Sequence, residues 1–345
     1  EAFNHLERLL QDLNKWKELT ELYLKKFADL GGQEEEVPAE HKAEIVSILQ
    51  RLAVVYEEKM SDRENAFVAL SNAFAIAPMN DVTADHLERL ASIQNNWEEL
   101  IEMYQEAVEA VEDRLVRCDL LVKMGKWYAD QLDDLAKASE VLKQALRLEP
   151  KYGRVHLQMA EVHRKNQSVG EYISELRLAL EVETRQDVVY KSAMELARTY
   201  EKEFGDMDEA IRFYKKAHEA SLTHEEPLEA LERLYERGEK WRELIEIVNE
   251  RVDRSTNEEE IFDLKVKIAD LYDDRRELPS KAIEVLNELL DAHPDNLVIM
   301  RKLEELYEKI GDLEEYLAIL ERQMTYLSHD DERIRKSHQM AAVWE

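Results

Sequence analysis

Apolar residues along this chain recur at steps of three and four. Leu87, Leu90, Trp97, Leu100, Ile101 and Tyr104 trace two such blocks within 82–112, a spacing that predicts paired amphipathic helices. The blocks themselves recur. Tyr56, Tyr128, Tyr200 and Tyr272 stand 72 residues apart, with Trp344 continuing the series, and Ala66, Ala138, Ala210 and Ala282 keep the same step. Pro78, Pro150 and Pro294 form a third series whose missing member is Leu222. A long fixed period predicts a stacked array of helix pairs in place of the separate domains that the length alone would suggest.

Each period divides into two kinds of pair. The first kind reads HLERLLQDLNKWKELTELY (5–23), ALERLYERGEKWRELIEIV (230–248) and KLEELYEKIGDLEEYLAIL (302–320), with a divergent copy at 158–176. The second kind closes its first helix at the Tyr series, turns at Asp62, Asp134 or Asp206, and builds its second helix on the Ala series. An Asp there is expected to cap the next helix, and Glu209 is placed to complete a capping box on Asp206. In the fourth copy Leu278 and Pro279 replace the Asp, and a proline suits a first helical turn. The alanines predict close helix–helix approach, and the prolines stop the second helices.

These residues resemble the tetratricopeptide repeat family. LVKMGKWYADQLDDLAKASEVLKQALRLEP (121–150) and MELARTYEKEFGDMDEAIRFYKKAHEA (194–220) carry its pattern of large, Leu, small and Tyr in one helix, then Ala, Leu or Tyr, Ala and a terminal Pro or its equivalent in the next. The first-kind pairs depart from it, with Glu88, Glu232 and Glu304 where the family prefers a small residue. The resemblance implies an all-α, right-handed α-solenoid of about nine antiparallel pairs running through 1–345, a non-catalytic scaffold that binds a protein or peptide segment along the concave wall of first helices. At the family's central wall position stand Arg8, Val54, Arg89, Lys126, Glu161, Arg198, Arg233, Asp270 and Glu305. Arg8, Arg89, Lys126, Arg198 and Arg233 therefore form a candidate partner-binding line for an acidic segment, unless acidic neighbours one turn away neutralise them. One position further on, Glu201, Glu236, Asp273 and Glu308 turn the C-terminal wall acidic. The carboxylate clamp that some members build from Lys, Asn and Arg has no full match. Two other readings stay open: a regulatory arm for an attached enzyme or sensor domain, and a closed helical toroid with a convergent acid pair.

Register slips once, at DLGGQEEEVPAE, which predicts an exposed loop over 30–40 between the first and second pairs. At the far end 333–345 reads as the first helix of a further, incomplete repeat. A chain that starts inside an amphipathic pattern without Met and ends on a core-type Trp is expected to be a slice of a longer protein, or to associate end to end.

Charge narrows the partners. Lys and Arg number 47 against 77 Asp and Glu, a net charge of −30 that repels nucleic acid. No apolar run is long enough to span a membrane. Cys118 is the only cysteine, which fits a reducing cytoplasm and equally a disulfide-free array elsewhere. Among ten histidines, His156 and His163 come nearest to a metal pair, and no zinc, calcium, phosphate-loop or nucleophile motif occurs. No cofactor is expected. Trp16, Trp97 and Trp241 share one repeated position and read as core.

Overall fold

The computed structural model describes residues 2–34 and 37–344, the Trp344 side chain excepted. Among the described residues there are helices and turns and no strand. The chain divides into two compact units, Glu1–Glu183 and Thr184–Glu345. The first holds five antiparallel pairs: α1 (Ala2–Asp12) with α2 (Trp16–Asp29), α3 (Lys42–Val54) with α4 (Arg63–Ile76), α5 (Asp81–Gln94) with α6 (Trp97–Ala110), α7 (Arg114–Asp130) with α8 (Leu135–Leu148), and α9 (Gly153–Lys165) with α10 (Val169–Val182). The second holds four: α11 (Gln186–Thr199) with α12 (Met207–Ala220), α13 (Glu226–Arg237) with α14 (Trp241–Arg254), α15 (Glu258–Asp270) with α16 (Pro279–Ala292), and α17 (Leu297–Ile310) with α18 (Leu313–Tyr326). A single helix, α19 (Asp330–Trp344), follows. It starts three residues before the expected 333, because Asp330, Asp331 and Glu332 favour the positive end of a helix dipole.

What separates the two kinds of pair is one residue in the turn. In the first kind the chain closes on a carbonyl five residues back: Lys15 N donates to Leu10 O (2.9 Å), Asn96 N to Ala91 O (3.2 Å), Lys240 N to Tyr235 O (2.9 Å) and Asp312 N to Tyr307 O (3.0 Å). This is the Schellman closure. In the second kind it closes six back, always on the periodic Tyr: Asp62 N to Tyr56 O, Asp134 N to Tyr128 O and Leu278 N to Tyr272 O at 2.8 Å, and Asp206 N to Tyr200 O at 3.1 Å. In three of the four the last turn widens into π-helix, over Val55–Lys59, Tyr200–Phe204 and Leu271–Arg275, whereas α7 stays α-helical to Asp130.

Either closure needs one residue in the left-handed region, and all nine intra-pair turns have one: Asn14, Ser61, Asn95, Asp133, Gln167, Gly205, Glu239, Glu277 and Gly311. Only two are glycine. A side chain there costs about 1–2 kcal/mol, offset for glycine by its greater chain entropy. Glu239 and Glu277 are exposed, so Glu239→Gly or Glu277→Gly is expected to raise stability by about 0.5–1 kcal/mol, read from urea midpoints. Gly205→Ala tests the reverse. No atom lies within 4 Å of the added methyl, so its loss of about 1 kcal/mol would come from backbone strain alone.

The expected caps form. Asp62, Asp134 and Asp206 accept from Asn65 N, Lys137 N and Glu209 N at 3.1, 2.9 and 3.1 Å, and Pro279 opens α16. The capping box on Asp206 does not form, because the Asp206 amide is committed to Tyr200 O and the Glu209 carboxylate holds Arg212. The alanine series is wholly buried, each of Ala66, Ala138, Ala210 and Ala282 at 0% exposure. In the first unit an aromatic chain links three pairs: Phe74 stacks on Tyr104 at 4.4 Å, Tyr104 meets the edge of Trp127 at 4.6 Å, and Trp97 lies 6.1 Å from Trp127. The core of the last pairs runs from Ala269 to Leu320.

The segment between Asp29 and Lys42 joins α2 to α3 and is not simply solvated. Leu30 is buried and Val37 packs on the core. At Gly32 a Cβ would fall 2.2 Å from the Phe27 ring, so only glycine lets the chain pass. Glu35 and Glu36, part of the acidic run, lie outside the described residues, as does the side chain of the periodic Trp344.

Candidate functional site

The first helices carry the candidate cations, and their surroundings differ. In the first unit, Arg89 on α5 grips Glu57 in two parallel bonds of 2.7 and 2.5 Å. Glu57 belongs to the π-turn of the preceding pair and also meets His86 Nε2 at 2.9 Å. In the second unit, Arg233 on α13 holds Glu201, again from the π-turn of the preceding pair, and Arg198 on α11 reaches forward to Glu226 at 2.5 Å. Each therefore neutralises a carboxylate on an adjacent pair, and Arg198 also lies 3.9 Å from Glu195 one turn away on its own helix. Arg8 and Lys126 are exposed and have no ion-pair partner among the described residues.

Those contacts belong to a wider ladder. Lys240 meets Asp208 at 2.6 Å, Lys302 holds Asp270, and Lys165 and Lys309 hold Asp130 and Asp273 at 2.6 Å. The Arg89 guanidinium lowers the Glu57 carboxyl to about 2 despite its burial, with His86 adding to the effect. A folded-state pKa below the ordinary 4.5 means that the pair stabilises the fold at higher pH and loses that contribution as the pH falls from about 4.5 toward 2. We expect Arg89→Met to flatten this acid limb in urea titrations at stepped pH, lowering the neutral-pH midpoint most and the midpoint near pH 2 least.

Open depressions lie along the same faces. One of about 570 Å³ sits between the π-turn after α3 and α5, lined by Glu57, Val82, His86 and Arg89. Another, of about 480 Å³, lies over Trp16 and Val54, and one of about 340 Å³ over Trp241 and Asp270. Trp97 is buried as the repeat predicts, whereas Trp16 and Trp241 are only half-buried. The next first helix after each of these two ends in a π-turn, whose basic residue covers the indole from above.

No group of three or more potential metal ligands converges among the described residues. His156 is buried with both ring nitrogens engaged, Nδ1 by Glu175 at 2.7 Å and Nε2 by Pro150 O at 3.0 Å. Neither is left for a metal. Burial pushes the Cys118 thiol up to about 11, which keeps it protonated and unreactive. No helix among the described residues is long and apolar enough to cross a membrane.

Residues 119–152 and 192–226 each match a family model described as tetratricopeptide repeat. Their starts lie one residue off the 72-residue step, and both fall on second-kind pairs. The chain carries tetratricopeptide repeats. Comparison with curated proteins finds no match. Among solved structures, this repeat chain is similar to the C-terminal part of a tetratricopeptide-repeat protein from Cytophaga hutchinsonii (17% identity, 87% of this chain, 99% of that one, TM-score 0.39). It is also similar to PilW, a type IV pilus biogenesis factor (17%, 64% and 98%, 0.37), and to yeast Tom70 (15%, 99% and 88%, 0.31).

The departures from the tetratricopeptide pattern have a structural use. Glu232 accepts from Arg251 of its own second helix at 2.5 Å and from Lys267 of the next first helix at 2.8 Å. Glu304 accepts from Gln323 at 2.8 Å and Lys336 at 2.5 Å in the same two directions. Glu7, in register with them, takes Tyr23 Oη at 2.6 Å and Arg51 at 3.1 Å. A carboxylate at the small-residue position thus ties three helices of this tetratricopeptide stack together.

Proposed function

We propose that this chain is a non-catalytic scaffold that binds a segment of a partner protein along its first-helix faces, with Arg8 and Lys126 contacting acidic groups of that segment. The observation that carries this reading is the open depressions, two on neighbouring pairs of the first unit and one in the second. Shallow recesses on neighbouring pairs suit the successive side chains of a linear polypeptide, whereas a small-molecule substrate calls for one enclosed cavity. The walls between recesses are already neutralised by the inter-pair ladder, so they present a rigid surface on which unpaired cations stand out.

The test follows from which cations are free. Charge reversal at Arg89 or Arg198 would break native pairs and confound folding with binding, but Arg8→Glu with Lys126→Glu leaves every described ion pair in place. Quantitative capture at low and high salt, compared between parent and double variant, is expected to show a stoichiometric, salt-sensitive partner that the variant loses while its helical circular dichroism is unchanged. Retention of that partner by the variant would remove these two residues from the recognition surface.

A further inference from the structure

The depressions at Trp16 and Trp241 are one site built twice. Their lining residues correspond at 216 residues, three periods: Arg51 with Lys267, Val54 with Asp270, Val55 with Leu271 and Lys59 with Arg275. In both, the indole at the start of a second helix forms the floor, and the cation of the following π-turn lies over it, Lys59 Nζ at 5.7 Å and the Arg275 guanidinium at 5.0 Å.

Their chemistry is opposite. The Trp16 site is lined by two cations, Arg51 and Lys59, by apolar Val54, Val55 and Trp16, and by no carboxylate. The Trp241 site sets four carboxylates, Glu236, Asp263, Asp270 and Asp274, against its two cations. The Trp16 cations have counter-charges behind them, Glu7 at 3.1 Å from Arg51 and Glu58 at 3.8 Å from Lys59. Their side chains nevertheless stay 45% and 43% exposed, and a guanidinium carries more donors than Glu7 occupies. On a chain of net charge −30, a recess that is basic at its rim and aromatic at its floor is where an acidic segment meets least repulsion.

We infer that the Trp16 site docks a peptide segment in which carboxylates flank aliphatic side chains, and that its counterpart at Trp241 selects against the same segment. The aliphatic group covers the indole and Val54, and the carboxylates reach Arg51 and Lys59. This rests on the scaffold reading above and adds to it the chemistry of the partner at one place.

Two fluorescein-labelled, end-capped peptides, one built on Asp-Leu-Leu-Asp and one on Lys-Leu-Leu-Lys, are titrated with the full chain in fluorescence anisotropy at low salt. The acidic peptide is expected to bind and to weaken by about tenfold in Lys59→Glu, while Arg275→Glu leaves it unchanged. Trp16→Ala is a second variant, and circular dichroism checks that it stays folded. Equal binding of the two peptides, or an acidic-peptide affinity that Lys59→Glu leaves unchanged, overturns the assignment. If a partner lost by the Arg8 and Lys126 variant is retained by Lys59→Glu, only the pocket fails. If neither peptide binds and that variant also captures everything the parent does, the scaffold reading fails with it.

Discussion

Trp127→Ala is expected to lower the stability of the first unit by about 3–5 kcal/mol, the range for removing a buried aromatic side chain. Trp127 is 1% exposed and stands where the edge of its ring meets Tyr104 while Trp97 flanks it. Removing it opens a cavity between α6 and α7, and α7 is the helix on which α8 and α9 are stacked. In an array whose stability is a sum of pairs and their interfaces, such a loss breaks the stack locally before it unfolds the whole. Urea unfolding followed by far-ultraviolet circular dichroism should therefore acquire an early phase that the parent lacks. Tyr104→Phe is the control within the same cluster. The Tyr104 hydroxyl is buried with no hydrogen-bond partner, so its removal takes away an unsatisfied group and is expected to leave stability unchanged or slightly higher. A parent-like transition for Trp127→Ala would show that the aromatic chain does not hold these pairs together.

The stacking was legible in the chain because three residue series kept one period, and because the Asp caps and the alanines had local reasons that do not depend on neighbours. The turn closures were less so. Asn14, Asn95 and Gly205 are residue types that accept a left-handed backbone, but Glu239 and Glu277 give no such sign. Only the fixed distance from each periodic Tyr to the residue that closes on it encodes the wider turn. The Trp position misled in two of three copies for the same reason, since the π-turn that leaves Trp16 and Trp241 half-open is a property of the following pair.

The wall cations were the least legible, because a single helix shows only neighbours one turn away, and these partners lie one pair away. A signal was nevertheless present. Glu57 with Arg89, Glu201 with Arg233, Asp208 with Lys240, Asp270 with Lys302 and Glu304 with Lys336 are all 32 residues apart, the acid always first. That interval is about one turn short of a helix pair, the offset at which a long basic side chain reaches back across to the previous pair. A search for complementary charge at that spacing separates Arg89 and Arg233, which belong to the ladder, from Arg8 and Lys126, which do not.

Glu232→Ala is expected to cost about 3 kcal/mol, because it leaves two cations facing a site that no longer neutralises them. Glu232 is 13% exposed at its side chain, Arg251 25% and Lys267 33%. Hydrogen bonds from Lys267 and Arg251 overcome the opposing effect of burial and hold the Glu232 carboxyl below the usual range. The cost is expected to fall short of the full penalty for a broken buried pair, since Arg251 keeps Glu260 at 3.2 Å and Lys267 keeps Glu236 at 3.6 Å. Glu232→Leu should do no better than Ala, as an apolar side chain fills the space but adds no charge. Replacing all three, Glu232→Leu with Arg251→Met and Lys267→Met, removes every buried charge together and is expected to regain most of the loss. Urea midpoints across this series separate two accounts of why the chain departs from a small residue here. Recovery in the triple variant means the carboxylate is needed because its cations are there. A triple variant as unstable as Glu232→Ala means the ion network itself supplies the tie between α13, α14 and α15, and that the small residue and the carboxylate are alternative ways to join one pair to the next.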